Sequence, residues 1–129
     1  MFWMRRRLMA DPMRLGRWGE RQAERSLRRK GLKTLDRNVR SRLGEIDLVM
    51  VDPGGGIVFV EVKTRLDEDF QPVETVITQT KKGRMRNAIR FFEATHRIEN
   101  RPLRCDVVVV VLGSRGRPQI RHYENAFVP

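Results

Sequence analysis

One segment near the C-terminus restricts the fold more than any other. Residues 105–112 read CDVVVVVL and are almost entirely valine. β-Branched residues favour strands, and an apolar run without polar alternation is typical of a strand buried on both faces. We therefore predict an internal strand of a sheet that carries helices on both sides.

A short glycine-rich sequence separates two further strand candidates earlier in the chain. Residues 45–51 and 57–64 are rich in apolar, β-branched side chains, and the sequence DPGGG between them is typical of a turn. These two segments are predicted to form an antiparallel hairpin. Residues 32–40 and 119–126 are the remaining strand predictions.

Two segments have helical periodicity. Residues 13–30 carry apolar side chains at helical spacing and end before Gly31, which favours termination. A second helix is predicted to begin between residues 72 and 78, with Thr78 as a good N-cap, and to end near residue 95. Residues 66–71 and 97–104 are predicted loops, and residues 1–12 an irregular, flexible basic arm. The order α-β-β-β-α-β-β predicts an α/β fold, a mixed sheet flanked by helices, in a single domain of residues 13–129.

The charge balance indicates a polyanionic partner. The chain has 27 Lys and Arg against 16 Asp and Glu, a net charge of +11, and cationic side chains bind phosphates with release of counterions. We expect nucleic acid, with an anionic membrane surface or an acidic protein as alternatives. No apolar run approaches the roughly 20 residues of a membrane helix, and we see no secretory signal. The single cysteine, Cys105, excludes an internal disulfide and favours a reducing, cytoplasmic setting.

Glu20 is a carboxylate on the packing face of the first predicted helix. Gly16, Glu20, Ala23 and Leu27 follow one another at spacings of four, three and four residues, which places them on one stripe. A carboxylate within such a stripe costs free energy unless it is paired or coordinates a ligand.

The predicted hairpin carries three more charges in positions that its apolar pattern assigns to the interior. Asp47 interrupts the first strand, while Glu61 and Lys63 lie on one face of the second strand because strand side chains alternate. Across the hairpin, Asp47 and Glu61 can lie side by side. Two such carboxylates repel each other by several kcal/mol at intermediate dielectric, and a cation between them removes the repulsion.

These residues have the chemistry of a magnesium-dependent phosphodiesterase. Mg²⁺ or Mn²⁺ takes carboxylate oxygens and keeps several waters, so Asp47, Glu61 and the main-chain carbonyl of Val62 are candidate ligands. Glu20 would close the site through a water or a second ion. Lys63 would orient the attacking water and stabilise charge on the phosphate.

Each residue taken alone also has an ordinary structural explanation. A Glu-x-Lys pair at a strand end is usually a solvated ion pair, Asp47 could be held by a backbone amide, and Glu20 could pair with the neighbouring Arg17. Four such coincidences in the order helix, strand, strand are much less expected by chance.

Further cations could contact the nucleic acid beside this set. Lys81 is the only charge on the apolar stripe of the second predicted helix, so it either reaches a phosphate or extends its ammonium group to solvent over a packed stem. Gln79 is a weaker candidate at the same edge. Arg17, Arg42 and Arg65 complete the predicted nucleic-acid-binding residues.

Together, several short blocks resemble the YraN-type family of uncharacterised bacterial proteins, over residues 15–127. The blocks are Gly19-Glu20, Arg37-Asn38, GEIDL at residues 44–48, VFVEVKTR at residues 58–65, Lys81, Arg104-Cys105-Asp106 and Asn125-Ala126-Phe127. That family in turn resembles restriction-endonuclease-like proteins, notably archaeal Holliday-junction resolvases, whose signature places Glu20, Asp47, Glu61 and Lys63 in the active site.

The resemblance implies a restriction-endonuclease-like core and a metal-dependent endonuclease acting on DNA, including branched or otherwise structured DNA. It also implies a symmetric homodimer, for which the sequence offers no obvious patch. A nucleic-acid-binding protein that does not cut, or an RNA-processing nuclease, remains an alternative on the same fold.

Overall fold

The computed structural model describes residues 2–66, 77–113 and 117–129. Its elements are the helices α1 (Phe2–Ala10), α2 (Pro12–Arg29) and α3 (Gln79–Thr95) and the strands β1 (Lys33–Ser41), β2 (Gly44–Val51), β3 (Ile57–Arg65), β4 (Leu103–Val111) and β5 (Gln119–Phe127). The predicted α/β fold with a mixed sheet flanked by helices is confirmed, with one additional helix at the N-terminus. No helix in the described part of the chain is long and apolar enough to span a bilayer.

The five strands form one sheet in the order β1-β2-β3-β4-β5. All neighbours are antiparallel except β3 and β4, which are parallel. A parallel pair needs a crossover connection, and α3 lies within the one that joins these two strands. The predicted hairpin of β2 and β3 is confirmed, with Val51 paired to Ile57 at its closed end.

Helices cover both faces of the sheet, as the valine run predicts. Val107, Val109 and Val111 of β4 belong to a core that α3 completes, whereas Val108 and Val110 belong to a second core on the opposite face. The α3 side of the sheet contributes a core that includes Ile57, Phe59, Met85, Ala88 and Phe92. The other side includes Trp18, Ala23 and Leu27 of α2, packed on Val58, Val60 and Val62.

The prediction of an irregular arm is wrong for residues 2–10, because these residues form α1. Leu8 is buried in the core beneath α2, and Met4 packs against the same core. The Nε of Arg5 also donates a hydrogen bond to the carbonyl oxygen of Gly113, at 2.6 Å. Since a helix of nine residues is too short to be stable by itself in water, these tertiary contacts rather than intrinsic propensity hold the helix.

The second predicted helix begins where its cap residue indicates. Thr78 is the N-cap of α3, and its hydroxyl oxygen accepts a hydrogen bond from the N–H of Lys81 at 3.2 Å. Residues 67–76, which include most of the predicted loop and the earliest possible start of this helix, lie outside the described residues.

Gly44 is required where the β1–β2 turn packs on α3. A Cβ at this position would lie 1.8 Å from the carbonyl oxygen of Arg84, a backbone atom that cannot rotate away, whereas a Cβ on Gly83 would meet nothing within 4 Å. We expect Gly44→Ala to lower the free energy of unfolding by about 2–3 kcal/mol. Gly83→Ala, the matched control within α3, should change it by at most about 1 kcal/mol and in the stabilising direction. Urea unfolding of both variants measures the difference, and equal effects would contradict this packing.

Candidate functional site

Strands β2 and β3 separate at Asp47. Their last paired residues are Leu48 and Val60. Beyond this pair the Asp47 carboxylate takes the place of a β2 main-chain acceptor, because its Oδ2 accepts a hydrogen bond from the N–H of Val62 at 2.8 Å. The side chain thus ends the ladder without leaving that N–H unsatisfied, and a gap opens between the strands.

Glu61 lies at the side of this gap and binds two ammonium groups. Its carboxylate is buried, and its Oε1 is 3.2 Å from the Nζ of Lys63 and 2.6 Å from the Nζ of Lys81. Lys63 reaches it from the same face of β3, as the period of two predicts. Lys81 reaches Glu61 from the first turn of α3. This lysine therefore lies beside Glu61 and Lys63 and does not extend its ammonium group away from them into solvent.

Glu20 reaches the group from α2, where close packing of the helix on β3 positions it. A Cβ on the preceding residue, Gly19, would lie 1.9 Å from the Oγ1 of Thr64. Glycine at this position therefore lets α2 approach the end of β3. Glu20 is half-buried there and lines the same cleft as Asp47 and Glu61.

Two carboxylates of the cleft, Asp47 and Glu20, have raised pKa values. Burial and the negative charges of Glu61 and Glu20 raise the pKa of Asp47 to about 8, against the effect of the Val62 hydrogen bond. Burial likewise raises the pKa of Glu20, and the charges of Glu61 and Glu45 add to the effect, while Arg40 and Asn38 oppose it. Carboxylates with shifted pKa values in a cleft are typical of functional sites.

Together these side chains line a cleft of about 270 Å³. Its lining comprises Pro12, Leu15, Gly16, Glu20, Glu45, Asp47, Glu61, Val62, Lys63, Thr64, Arg65 and Lys81. Of the residues predicted to contact nucleic acid, Arg65 and Lys81 are therefore at the cleft. Arg17, Arg42 and Gln79 are exposed and are not part of this lining.

Sequence reasoning missed the residues that surround Glu20. Arg40 and the side chain of Asn38 lower the pKa of Glu20, whereas the charge of Glu45 raises it. Asn38 adopts a left-handed conformation, with φ of 49°, which asparagine tolerates better than most residues. The Arg37-Asn38 block carried a signal for this position, but its role depends on how β1 lies beside α2.

The oxygen atoms at the cleft fit a hard divalent cation. Across residues 2–66, 77–113 and 117–129, no three Asp, Glu, His or Cys side chains lie close enough to hold a metal by themselves. Asp47 and Glu61 supply two carboxylates, and Mg²⁺ commonly binds one or two with water in the remaining positions. The carbonyl of Val62 points to the same side of β3 as its N–H, toward the gap. A cation held by these three residues would remove the carboxylate repulsion that raises the pKa of Asp47.

A second buried carboxylate, Asp106, ties β4 to β5 away from the cleft. It is fully buried and accepts hydrogen bonds from the Nε of Arg104 at 3.0 Å, the Nε2 of His122 at 2.7 Å and the N–H of Asn125 at 2.9 Å. Lys30 lies 2.9 Å from the other ring nitrogen of His122. Because an ammonium group only donates, the Nδ1 of His122 accepts and its Nε2 carries the proton.

Comparison with known proteins places the cleft in a family context. Residues 19–110, which include every acidic and basic side chain of the Glu20, Asp47, Glu61, Lys63 and Lys81 group, match the family described as Uncharacterised protein family UPF0102. The chain belongs to the UPF0102 family. This confirms the resemblance to the YraN-type proteins.

UPF0102 proteins from several bacteria are similar over nearly the whole chain. One from Bifidobacterium longum subsp. infantis is 38% identical over 118 residues, covering 90% of this chain and 94% of the relative. One from Pelotomaculum thermopropionicum is 40% identical over 121 residues, covering 92% and 100%. A third, from Syntrophomonas wolfei, is 42% identical over 114 residues, covering 88% and 96%.

Proposed function

We propose that this UPF0102 protein is a metal-dependent endonuclease that hydrolyses phosphodiester bonds in DNA. The observation that supports the proposal most is the convergence at one cleft of Glu20 from α2, Asp47 from β2, Glu61 and Lys63 from β3, and Lys81 from α3. A polyanion-binding protein gains nothing from three acidic groups in a basic chain unless those groups hold a cation.

Asp47, Glu61 and the carbonyl of Val62 would hold Mg²⁺ or Mn²⁺. When bound, such an ion lowers the pKa of its water and neutralises charge on a phosphate. Asp47 is held in position for this role by the Val62 N–H, and Glu61 by the two lysines. Glu20 would complete the site through a water molecule, because among the described residues no third carboxylate lies close enough to bind the same ion together with Asp47 and Glu61.

Lys63 and Lys81 supply the positive charge that a phosphodiester requires. Both ammonium groups lie on one oxygen of Glu61, at the edge of the cleft. Lys63 would orient the attacking water and stabilise the charge that develops on the phosphate. Lys81 would bind a neighbouring phosphate oxygen. Arg65, exposed at the same edge, would extend this contact along the strand.

The partner and oligomeric state that we propose rest on the charge of the chain and on its resemblance to known proteins. The net charge of +11 favours nucleic acid as the partner. The likeness to archaeal resolvases favours DNA over RNA, branched or structured sites, and a homodimer. The lone buried Cys105 is consistent with the cytoplasmic setting that we propose.

One observation favours a second candidate, a DNA-binding protein that does not cut. The Oε1 of Glu61 already has two ammonium partners, so its charge is compensated without a metal. In that case the cleft would be a structural ion-pair network, and the basic surface would carry the function.

A cleavage assay separates the two candidates. Wild-type protein is incubated with duplex, single strand, flap, four-way junction and RNA, each with Mg²⁺, Mn²⁺ or EDTA. We expect metal-dependent cutting of at least one DNA substrate. Lys63→Met should lower its rate by about a hundredfold or more while binding stays within a few-fold. Lys33→Met, a lysine exposed on β1, serves as the matched control.

Two other outcomes of this assay would contradict the proposal. Tight, salt-sensitive binding with no cutting of any substrate under either metal would reject the nuclease in favour of the binding protein. Cutting that survives Lys63→Met unchanged would remove this lysine from the mechanism.

A further inference from the structure

A second concavity, the turn groove, lies between the β1–β2 turn and α3. It has a volume of about 580 Å³ and is lined by Ser41, Arg42, Leu43 and Phe91. Leu43 is 65% exposed and Phe91 is 48% exposed. Large apolar side chains exposed around one concave surface are typical of a binding site.

The turn groove is a fixed part of the fold. The Nδ2 of Asn87 donates to the carbonyl oxygen of Leu43 at 3.4 Å, and the close approach of Gly44 to Arg84 holds the turn against α3. The hydroxyl of Ser41 is engaged within the turn, since it donates to the carbonyl of Gly44 and accepts from the N–H of Leu43.

The turn groove adjoins the candidate cleft. Glu45 lines the cleft, and Leu43 precedes it by two residues, a span of at most about 7 Å. On α3, Phe91 follows the cleft residue Lys81 by ten residues, about 15 Å, so a nucleic-acid strand with a phosphate in the cleft has a base a few nucleotides away within reach of the groove.

The side chains of the groove match a nucleobase. Phe91 presents an aromatic ring and Arg42 a guanidinium group, the two surfaces on which unstacked bases pack. Arg84 and Arg90 are exposed on the same helix, which adds positive charge for the adjoining phosphates. A second copy of the chain fits less well, because it would bring the arginines of two strongly basic surfaces together.

We propose that the turn groove holds an unpaired nucleobase of the strand whose phosphodiester lies in the cleft. The inference rests on the proposed function, and it makes DNA with an unpaired nucleotide near the reacting bond the preferred substrate. Stacking on Phe91 and Arg42 uses the flat face of a base and forms no hydrogen bonds with its edge. The groove therefore accepts any of the bases.

Binding in EDTA tests the groove without requiring cleavage. Two labelled DNA duplexes, identical except that one carries a single unpaired adenine, are titrated with protein and followed by fluorescence anisotropy. We expect the wild type to prefer the duplex with the unpaired base. Phe91→Ala should weaken binding to it by about tenfold or more and leave the paired duplex within about twofold. Phe91→Trp should retain the preference.

The control variant is Leu35→Ala. Leu35 is 45% exposed, close to the value for Phe91, and lies six residues before Ser41 on β1, about 20 Å away. It should change neither affinity. Arg42→Ala provides a second groove variant that removes no buried side chain, and thermal unfolding verifies that each variant is folded.

Three outcomes would overturn the groove proposal: no loss with Phe91→Ala, an equal loss on both duplexes, or a wild-type dimer that Phe91→Ala converts to monomer in light scattering. The last would make the groove an interface between copies. If cleavage is observed without selectivity for the unpaired base, the groove alone is wrong. If selectivity is observed without cleavage, the groove stands and the nuclease is rejected.

Discussion

Replacing Asp106 by asparagine is expected to lower the free energy of unfolding by about 3–5 kcal/mol, the usual cost of breaking a buried ion pair. In the described part of the chain, the groups on Arg104, His122 and Asn125 that contact Asp106 are all hydrogen-bond donors. An asparagine amide would satisfy only part of them, and its NH₂ group would face another donor. The positive charge of Arg104 would lose its closest partner.

The pH dependence of stability checks the same assignment. Burial acts to raise the pKa of Asp106, but hydrogen bonds from His122, Asn125 and Arg104 outweigh it and lower the pKa below its ordinary value of 3.8. A carboxylate with a lowered folded-state pKa stabilises the protein above the unfolded value, and this contribution is lost as the pH falls. Urea unfolding should therefore show a large gap between wild type and Asp106→Asn at pH 7 that narrows below about pH 4.

Asp36→Asn is the control for this experiment. Asp36 is a half-buried carboxylate of β1 that accepts a hydrogen bond only from the N–H of Arg37 in the described structure. Its replacement should cost less than about 1 kcal/mol. A comparably small loss for Asp106→Asn would contradict a central role for the β4–β5 network.

The parts of this fold that could be predicted are those that local periodicity determines. Alternation along residues 57–63 correctly assigns Phe59 and Glu61 to one face of β3, and the valine run correctly indicates a strand buried on both sides. Thr78 was recognisable as a cap because its side chain acts on the next few residues. In each case the physical cause lies within one turn of a helix or one face of a strand.

Contacts between distant residues could not be predicted. The α1 helix depends on the burial of Leu8 and on the Arg5–Gly113 hydrogen bond, which joins opposite ends of the chain. The ion pair between Lys81 and Glu61 spans 20 residues, and periodicity showed only that Lys81 interrupts an apolar stripe. The sequence CDVVVVVL likewise did not reveal that Asp106 has partners on β5.

For the candidate site, sequence indicated the residue types and the structure supplies their proximity. Glu20, Asp47, Glu61 and Lys63 were singled out as charges in apolar positions, and all four line the cleft. The separation of β2 from β3 at Asp47 was not foreseeable, because the side chain itself replaces the expected main-chain bond to Val62.

Asp47→Asn is expected to lower metal-dependent cleavage on the order of a thousandfold while making the metal-free protein more stable. Asparagine can still accept the Val62 hydrogen bond through its amide oxygen, so the backbone arrangement should persist. What it removes is a group that, once ionised, adds a negative charge beside Glu61 and Glu20 and would hold the cation. Loss of activity together with a gain in stability distinguishes a functional carboxylate from a structural one.

The gain in stability has a defined pH window. The pKa of Asp47 is raised from 3.8 to about 8, so the folded state holds a proton that the unfolded state releases, and wild-type stability in EDTA falls as the pH rises between these values. Asparagine does not titrate, so the stability of Asp47→Asn does not fall in this way as the pH rises. Urea unfolding should show the variant becoming more stable than the wild type above about pH 4, with a difference of several kcal/mol at pH 9, since each pKa unit is worth about 1.4 kcal/mol.

Adding Mg²⁺ or Mn²⁺ should reverse the order of the two proteins. A ligand that binds only the folded state stabilises it by mass action, so the metal should raise the wild-type free energy of unfolding at pH 8 and leave Asp47→Asn nearly unchanged. Calorimetric titration with Mn²⁺ measures the same difference directly. If the metal stabilises both proteins equally, or if Asp47→Asn is the less stable protein at pH 9 in EDTA, the two carboxylates do not form a cation site, and Asp47 serves the fold through its bond to Val62.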